Sequence, residues 1–423
     1  MVRAKRHTII GNSAAGLAAV KAIRKAGDEG PIVLISAENC PAYSPVLTTY
    51  YLAGDIGRSG LFLVNEDFYR QMKVRTLFGR RAVEIDPSRR LVRLDNRTKA
   101  PFDDLLIATG ASARTIAEVE AGAREKVATL RTLADAERIK KASEKARDIV
   151  VTGAGLVSLQ AIKAILGRGP KITAVVGSYQ VLSQQMDAEA AGLVQRKLEA
   201  RGVNLLFGRE VKNISRRGDR VQVKTNYHEL LPADLVIVGK GVRPNVLLAE
   251  QAGIEVGHGI VVDERMRTSR EDIYAAGDVA EGLNSLSGRR EVIATWLNAC
   301  AQGEVAGFNM AGLEAVRRDQ FRENVTNILG VVAAAIGLSH PEGDDFEEVR
   351  HLDEERGVCR KLYFQGPTLV GALLLNRVED AGLIRNCIAN RSDLSAWKEQ
   401  IARAPLHFGH ILGASGGGRP YDH

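Results

Sequence analysis

Cysteine is scarce in this sequence and never paired: Cys40, Cys300, Cys359 and Cys387 stand far apart. None of the short spacings that hold zinc or iron–sulfur clusters occurs, so a resident cluster is excluded and no metal site is expected. Also missing is an uninterrupted apolar run of about 18 residues, the length a membrane-spanning helix needs. The basic start Met1–Arg6 leads into no signal-peptide core. A soluble, cytoplasmic chain without a membrane partner is expected. Lysine and arginine are scattered rather than gathered into a stripe with interleaved aromatics, which argues against nucleic-acid binding.

At 423 residues with 45% hydrophobic content, the chain is long enough for two or three units that each bury a core. Its net charge of +7 and pI near 9.2 suit an acidic protein partner or an anionic nucleotide, and fit an ordinary basic surface equally well. A strand–helix–strand pattern occurs twice, from His7 to about Glu38 and from Ile149 to about Gly177. A helical segment, Thr132 to Arg147, precedes the second pattern, and its charge run Glu137 to Lys145 reads as a solvated face. Alternation over Val358–Phe364 and Thr368–Asn376, followed by helical Asp380–Asn390, predicts a smaller third domain. The fold class is α/β: two doubly wound Rossmann-like dinucleotide-binding domains plus a smaller C-terminal α+β domain. The Gly-rich stretch after Gly413 reads as a flexible tail.

The segment from His7 to Gly16 is an apolar strand, a turn and a helix start. A pyrophosphate can rest there on the N–H groups of Ala14 and Ala15 at the helix N-terminus. Gly11 permits the tight turn, Gly16 permits close helix–strand packing, and Ser13 replaces the middle glycine with a small side chain. Glu38 follows the next strand, about 22 residues after Gly16, where an acid accepts hydrogen bonds from ribose hydroxyls. The second pattern repeats these roles at Gly153, Gly155 and Leu156, but its third position is Ser158 and its strand ends at Gly177, where the acid is expected. No carboxylate there repels a 2′-phosphate, and Ser178–Gln180 has no cation to attract one. NAD and NADP both remain open, with NAD favoured.

The order of motifs resembles the FAD-dependent pyridine nucleotide-disulfide oxidoreductase superfamily over nearly the whole chain. The matching pieces are Gly11–Gly16, Leu105–Gly110, Leu130–Asp135, Gly153–Ser158, Ala233–Val238 with Gly241–Asn245, and Thr268–Val279. The resemblance implies an FAD domain at 1–113 and 240–320, an NAD(P) domain at 114–239, a C-terminal interface domain at 321–412 and the tail 413–423. It implies that Thr109–Gly110 and Gly241 lie beside FAD, that Arg131 offsets its pyrophosphate, and that Gly277–Asp278 closes over the flavin with the acid on the ribitol chain. The stretch Trp296–Gly312 resembles the helix whose N-terminus faces the flavin ring and favours negative charge on it.

The segment before Gly54 decides the branch. Thiol-active relatives carry a Cys-x-x-x-x-Cys pair, absent here, or one cysteine about eight residues before the closing glycine, where this chain has Val46. Cys40 comes six residues too early. Instead, Tyr43–Gly54 resembles rubredoxin reductases, ferredoxin reductases and the flavin part of nitrite reductases, with Pro45 where an Arg is frequent and Thr49 on the flavin side. The implied activity is NAD(P)H oxidation through FAD, with electrons passed between the nicotinamide and an iron–sulfur or rubredoxin-type partner. An oligomer, or a subunit of a multi-subunit 2-oxoacid dehydrogenase complex, is the expected setting. No protein acid or base is needed, so no catalytic side chain is assigned. Two other readings stay open: a thiol-disulfide or peroxide reductase using Cys40, and a non-catalytic flavin-containing structural subunit. Replacing Cys40 by Ser separates the thiol reading from the leading one. NADH-driven electron transfer to a one-electron dye is expected to be unchanged, and loss of a disulfide- or peroxide-reducing activity would establish the thiol reading.

Overall fold

In the computed structural model, residues 5–410 are described except 117, 342 and 344, and they fall into two compact units. Within the described residues the first unit comprises 5–48, 56–112 and 242–320, and the second 49–55, 113–241 and 321–410. The expected tail at 413–423 lies outside the described residues.

Each unit is built on a five-stranded parallel sheet. In the first the spatial order is Ile273–Ala275, Asp104–Ile107, His7–Ile10, Ile32–Ser36 and Val74–Phe78. In the second it is Asn204–Phe207, Lys171–Val176, Asp148–Thr152, Leu235–Val238 and Val127–Thr129. The inner strands are buried along their length, as a sheet covered on both faces requires. Continuous runs such as Ile149–Val151 are the sequence signature of that double burial.

The first unit's helix Ala14–Lys25 packs along the helix Trp296–Met310. Contact is backbone to backbone: a Cβ on Gly303 would strike the Ala15 carbonyl oxygen, and one on Gly307 would come 2.6 Å from that of Ala19. Small residues on both helices are what allow this approach.

In the second unit the helix Leu133–Ser143 lies inside the segment expected to be helical. Thr132 caps it, accepting from the Asp135 N–H while the Asp135 carboxylate accepts from the Thr132 N–H, a reciprocal cap worth about 1 kcal/mol. Its charge run is only partly solvated. The Lys140 ammonium sits 4.0 Å from the Tyr51 ring centroid and donates to the Tyr51 carbonyl at 3.0 Å. Leu52 is wholly buried in the core of this unit, and Arg168 donates to its carbonyl. Thus Thr49–Asp55 belongs by its contacts to the second unit.

The C-terminal part is an antiparallel sheet ordered Glu323–Ile328, Val331–Gly337, Thr368–Leu375, Val358–Gln365 and Glu347–Asp353, with the helix Ala381–Ala389 against it. Its inward residues, among them Val331, Tyr363 and Leu373, share one core with Leu159, Ile162 and Ala174 of the second parallel sheet. Arg360, wholly buried, is the polar hub of this part. Its guanidinium grips Asp380 through two bonds of 3.0 and 2.7 Å and donates to the carbonyls of Arg377 and Ile401. Asp380 in turn accepts from the Leu406 N–H at 2.6 Å. Removing one partner strands a buried charge, so Arg360→Met is expected to destabilise the protein by about 3–5 kcal/mol, while Arg360→Met with Asp380→Leu recovers most of the loss. Urea unfolding followed by far-UV circular dichroism checks both.

Candidate functional site

The first Gly-rich turn is shaped by what it cannot contain. Gly11 has φ +128° and donates to the Ile35 carbonyl at 2.9 Å; a Cβ here would strike the Ala108 carbonyl oxygen. A Cβ on Gly16 would strike the carbonyl oxygen of Gly11 itself. Ser13 occupies the cap position of the helix but makes no side-chain cap bond, and the first helical turn has no acidic residue. The N-terminal N–H groups of this helix are thus not claimed by a Ser13 cap, the arrangement in which a helix start can receive an anion.

Glu38 lies past the strand Ile32–Ser36, and its two carboxylate oxygens accept from the Tyr43 hydroxyl at 3.1 and 2.9 Å. Asn12, inside the turn, donates to the Cys40 carbonyl at 3.3 Å and accepts from the Tyr69 hydroxyl at 2.8 Å. The Tyr69 oxygen also accepts from the Ala42 N–H, and burial pushes its phenol up from the ordinary range, so it stays a donor. The role of the Cys40 residue in this network is through its backbone.

Thr109 and Gly110 are fixed by Asn245, whose amide donates to the Thr109 carbonyl at 2.8 Å. Its own carbonyl accepts from the Thr109 hydroxyl at 3.0 Å, and its N–H donates to the Gly110 carbonyl at 2.9 Å. Gly277 has φ +83°, and its N–H donates to Gln302 Oε1 at 2.8 Å, with Gln302 donating onward to Gln320. A Cβ on Gly277 would meet the Ala15 Cβ at 3.3 Å and the Ala299 Cβ at 3.5 Å. That brings Gly277–Asp278, the start of the helix Ala14–Lys25 and the first turn of Trp296–Met310 together at one place. Tyr43, Tyr69, Asn245 and the two glutamines act through hydrogen bonds and were not among the expected site residues, although Tyr43, Asn245 and Gln302 stood within quoted stretches.

Pro45 opens a single 3₁₀ turn whose carbonyl accepts from the Thr48 hydroxyl at 2.6 Å; Thr49 begins the segment that belongs to the second unit. Arg131 also lies in the second unit, its N–H donating to Asp135, and Gly241, at φ +79°, accepts there from the Arg114 N–H.

The second turn has the same construction. Gly153 has φ +82° and donates to the Val175 carbonyl at 2.8 Å, and a Cβ there would strike the Gly239 carbonyl oxygen. Gly155 caps the helix Leu156–Leu166 without a side-chain bond, and a Cβ on it would point into open space. Ser158, the departure at the third position, is buried and donates to the carbonyls of Thr152 and Gly239 at 3.2 and 3.3 Å. A Cβ on Gly239 would collide with the Ser158 hydroxyl, so the glycine lost from the helix is matched by one on the facing strand. Gly177 follows the strand Lys171–Val176, and the nearest atoms to a Cβ built on it belong to Glu210, at 3.8 Å.

A family model described as pyridine nucleotide-disulphide oxidoreductase matches residues 5–303. The chain belongs to this family. It is 31% identical over 422 residues to the epsilon subunit of NADH-dependent phenylglyoxylate dehydrogenase from Aromatoleum evansii, covering 97% of this chain and 99% of that one. It is 32% identical over 306 residues to rubredoxin-NAD(+) reductase from Pseudomonas putida, covering 72% of this chain and 79% of the other. Among solved structures, the covalent complex of putidaredoxin reductase with putidaredoxin matches with a TM-score of 0.89 at 26% identity, covering 97% of this chain and 99% of that one.

A member of this family is a flavoprotein oxidoreductase with FAD and NAD(H) as its cofactors, and both turns fit dinucleotides: each is a glycine cradle under an uncapped helix start. No disulfide forms among the described residues, and burial pushes the thiols of Cys300 and Cys387 up and that of Cys359 up to about 12, away from the reactive thiolate. Among the described residues no group of three or more His, Cys, Asp or Glu could hold a metal ion, and no helix is long and apolar enough to cross a membrane. Because Gly11 tolerates no Cβ, Gly11→Ala is expected to be purified with less than a tenth of the wild-type flavin. Gly57→Ala, where a Cβ meets nothing closer than 4.0 Å, is expected to keep its full flavin content, read from the ratio of absorbance at 450 and 280 nm.

Proposed function

We propose that this chain is an NADH-oxidising flavoprotein that passes electrons to an iron–sulfur or rubredoxin-type protein, working in the cytoplasm as one subunit of a 2-oxoacid dehydrogenase complex. The observation that carries the reading is the pair of glycine cradles, one in each unit, in a chain without a redox cysteine pair. FAD is assigned to the first turn, with Glu38 on its ribose, Thr109–Gly110 beside it and Asp278 on the ribitol chain. NADH is assigned to the second turn, at Gly153, Gly155 and Leu156. Bound there, FAD would supply the exchange between a two-electron donor and one-electron acceptors, so that one NADH and two oxidised acceptors would yield NAD⁺, a proton and two reduced acceptors.

The protein's part is position and electrostatics. The N-terminal turn of Trp296–Met310, capped by Thr295, favours the negative charge that develops next to it. Gln302 and Gln320 hold the Gly277–Asp278 backbone in place from the buried side. The net charge of +7 favours an acidic electron acceptor. The setting in a complex rests on the near-complete coverage of the phenylglyoxylate dehydrogenase subunit, and a free-standing reductase like the rubredoxin enzyme is the second reading.

Mixing anaerobic holoprotein with NADH is expected to bleach the flavin band within the mixing time of a stopped-flow instrument, and adding an oxidised ferredoxin or rubredoxin is expected to restore it. If neither NADH nor NADPH bleaches the band, the proposal fails and the structural-subunit reading stands.

A further inference from the structure

The two dinucleotide turns superimpose through their hydrogen bonds, which permits a residue-by-residue comparison of their strand ends. Gly11 donates to Ile35 as Gly153 does to Val175, at 2.9 and 2.8 Å. Arg80 donates to Ser36 as Arg209 does to Val176, at 2.9 and 3.0 Å. Gly79 donates to Glu38 as Gly208 does to Ser178, at 3.2 and 3.1 Å, and both glycines have φ +65°. Ser36 pairs with Phe78 in one sheet and Val176 with Phe207 in the other. The counterpart of Glu38 is therefore Ser178, one residue beyond the Gly177 expected from the sequence, and the counterpart of Arg81 is Glu210.

Ser178 is too short to replace Glu38, and its hydroxyl is turned back onto the Gln180 carbonyl at 2.7 Å. Glu210 is exposed and stands over the end of the strand Lys171–Val176: a Cβ on Gly177 would be 3.8 Å from its Cγ and 4.0 Å from its Oε1. Its backbone is held by a reciprocal pair of bonds with Asn226, each 2.9 Å. Lys212 Nζ donates to the other carboxylate oxygen, Oε2, at 3.0 Å.

We propose that Glu210 supplies the carboxylate that accepts the adenosine-ribose hydroxyls of NAD at the second site, performing from the loop beyond the neighbouring strand Asn204–Phe207 the task Glu38 performs at the first, and that it sets a preference for NAD over NADP. This rests on the assignment of the nicotinamide dinucleotide to the second unit. A carboxylate at a strand end beyond the glycine turn accepts from a 2′-hydroxyl and repels a 2′-phosphate. The hydrogen bond from Lys212 and the charges of Lys212 and Lys240 hold the Glu210 carboxyl below the usual carboxylate range, so it is an anion throughout the neutral range. Lys212 and Lys240 are also the groups that a 2′-phosphate would seek, and Glu210 lies in competition with it for them.

Isothermal titration of the oxidised holoprotein with NAD⁺ and NADP⁺ reads affinity without turnover. The wild type is expected to bind NAD⁺ at least tenfold more tightly than NADP⁺. Glu210→Gln is expected to weaken NAD⁺ about tenfold and to leave NADP⁺ as tight or tighter, with an unchanged melting temperature because the side chain is exposed. Ser178→Glu added to Glu210→Gln is expected to return the NAD⁺ preference. An unchanged NAD⁺ to NADP⁺ ratio in Glu210→Gln, or a wild type that prefers NADP⁺, overturns the assignment of Glu210 alone. A wild type that binds neither overturns the placing of the dinucleotide in the second unit, and the role of Glu210 with it.

Discussion

The structure depends on backbone approaching backbone where a side chain would ordinarily stand. At Gly11 and Gly153 a helix starts so close to the neighbouring strand that a Cβ would enter a carbonyl oxygen, of Ala108 in one unit and Gly239 in the other. This closeness leaves each helix N-terminus exposed at the sheet's carboxyl end with its N–H groups unclaimed by a capping side chain. The packing itself thus leaves a helix start of the kind that can receive an anion, so the fold and the proposed cofactor site share one constraint. The same device recurs between Ala14–Lys25 and Trp296–Met310, where Gly303 and Gly307 admit the backbone of the facing helix and set the floor against which Gly277 rests.

Around these contacts, buried polar groups do the fastening. Asn12 and Tyr69 tie the first turn to the loop at Cys40–Ala42, Asn245 holds Thr109 and Gly110, and Gln302 holds Gly277. Each bond contributes only about 1 kcal/mol net, but leaving one partner buried and unpaired costs more, which makes the arrangement specific rather than merely stable. The Arg360–Asp380 pair plays the corresponding part in the C-terminal sheet, where both charges are out of water and paired with each other. Ser158 shows how such a network absorbs a departure, since its hydroxyl bonds two carbonyls in space left by the missing side chain of Gly239.

Much of this is legible in the sequence. Apolar runs ending in glycine turns predict doubly covered parallel strands because burial on both faces leaves no room for alternation, whereas the C-terminal strands Val358–Gln365 and Thr368–Leu375, expected from an alternating pattern, are in fact buried along nearly their whole length. What escaped were contacts between residues far apart in sequence. Tyr43 opens a recognisable stretch, but nothing in that stretch spells its bond to Glu38 five residues away, and Tyr69, Gln302 and Gln320 stand 57, 25 and 18 residues from the groups they bond. The short stretch after Pro45 read as part of the first unit, whereas burial of Leu52 and the bonds from Lys140 and Arg168 assign it to the second.

By itself the sequence determined the two dinucleotide turns, the acid at Glu38, the lack of a redox cysteine pair and the family, because each is written in residue type and short spacing. Only the tertiary structure decided that Ser158 is compatible with a closely packed turn and that the residue matching Glu38 in the second unit is Ser178, with the carboxylate of Glu210 beside it. The physical reason is that a strand end is completed by its neighbouring strand, and that neighbour is chosen by sheet register rather than by distance along the chain.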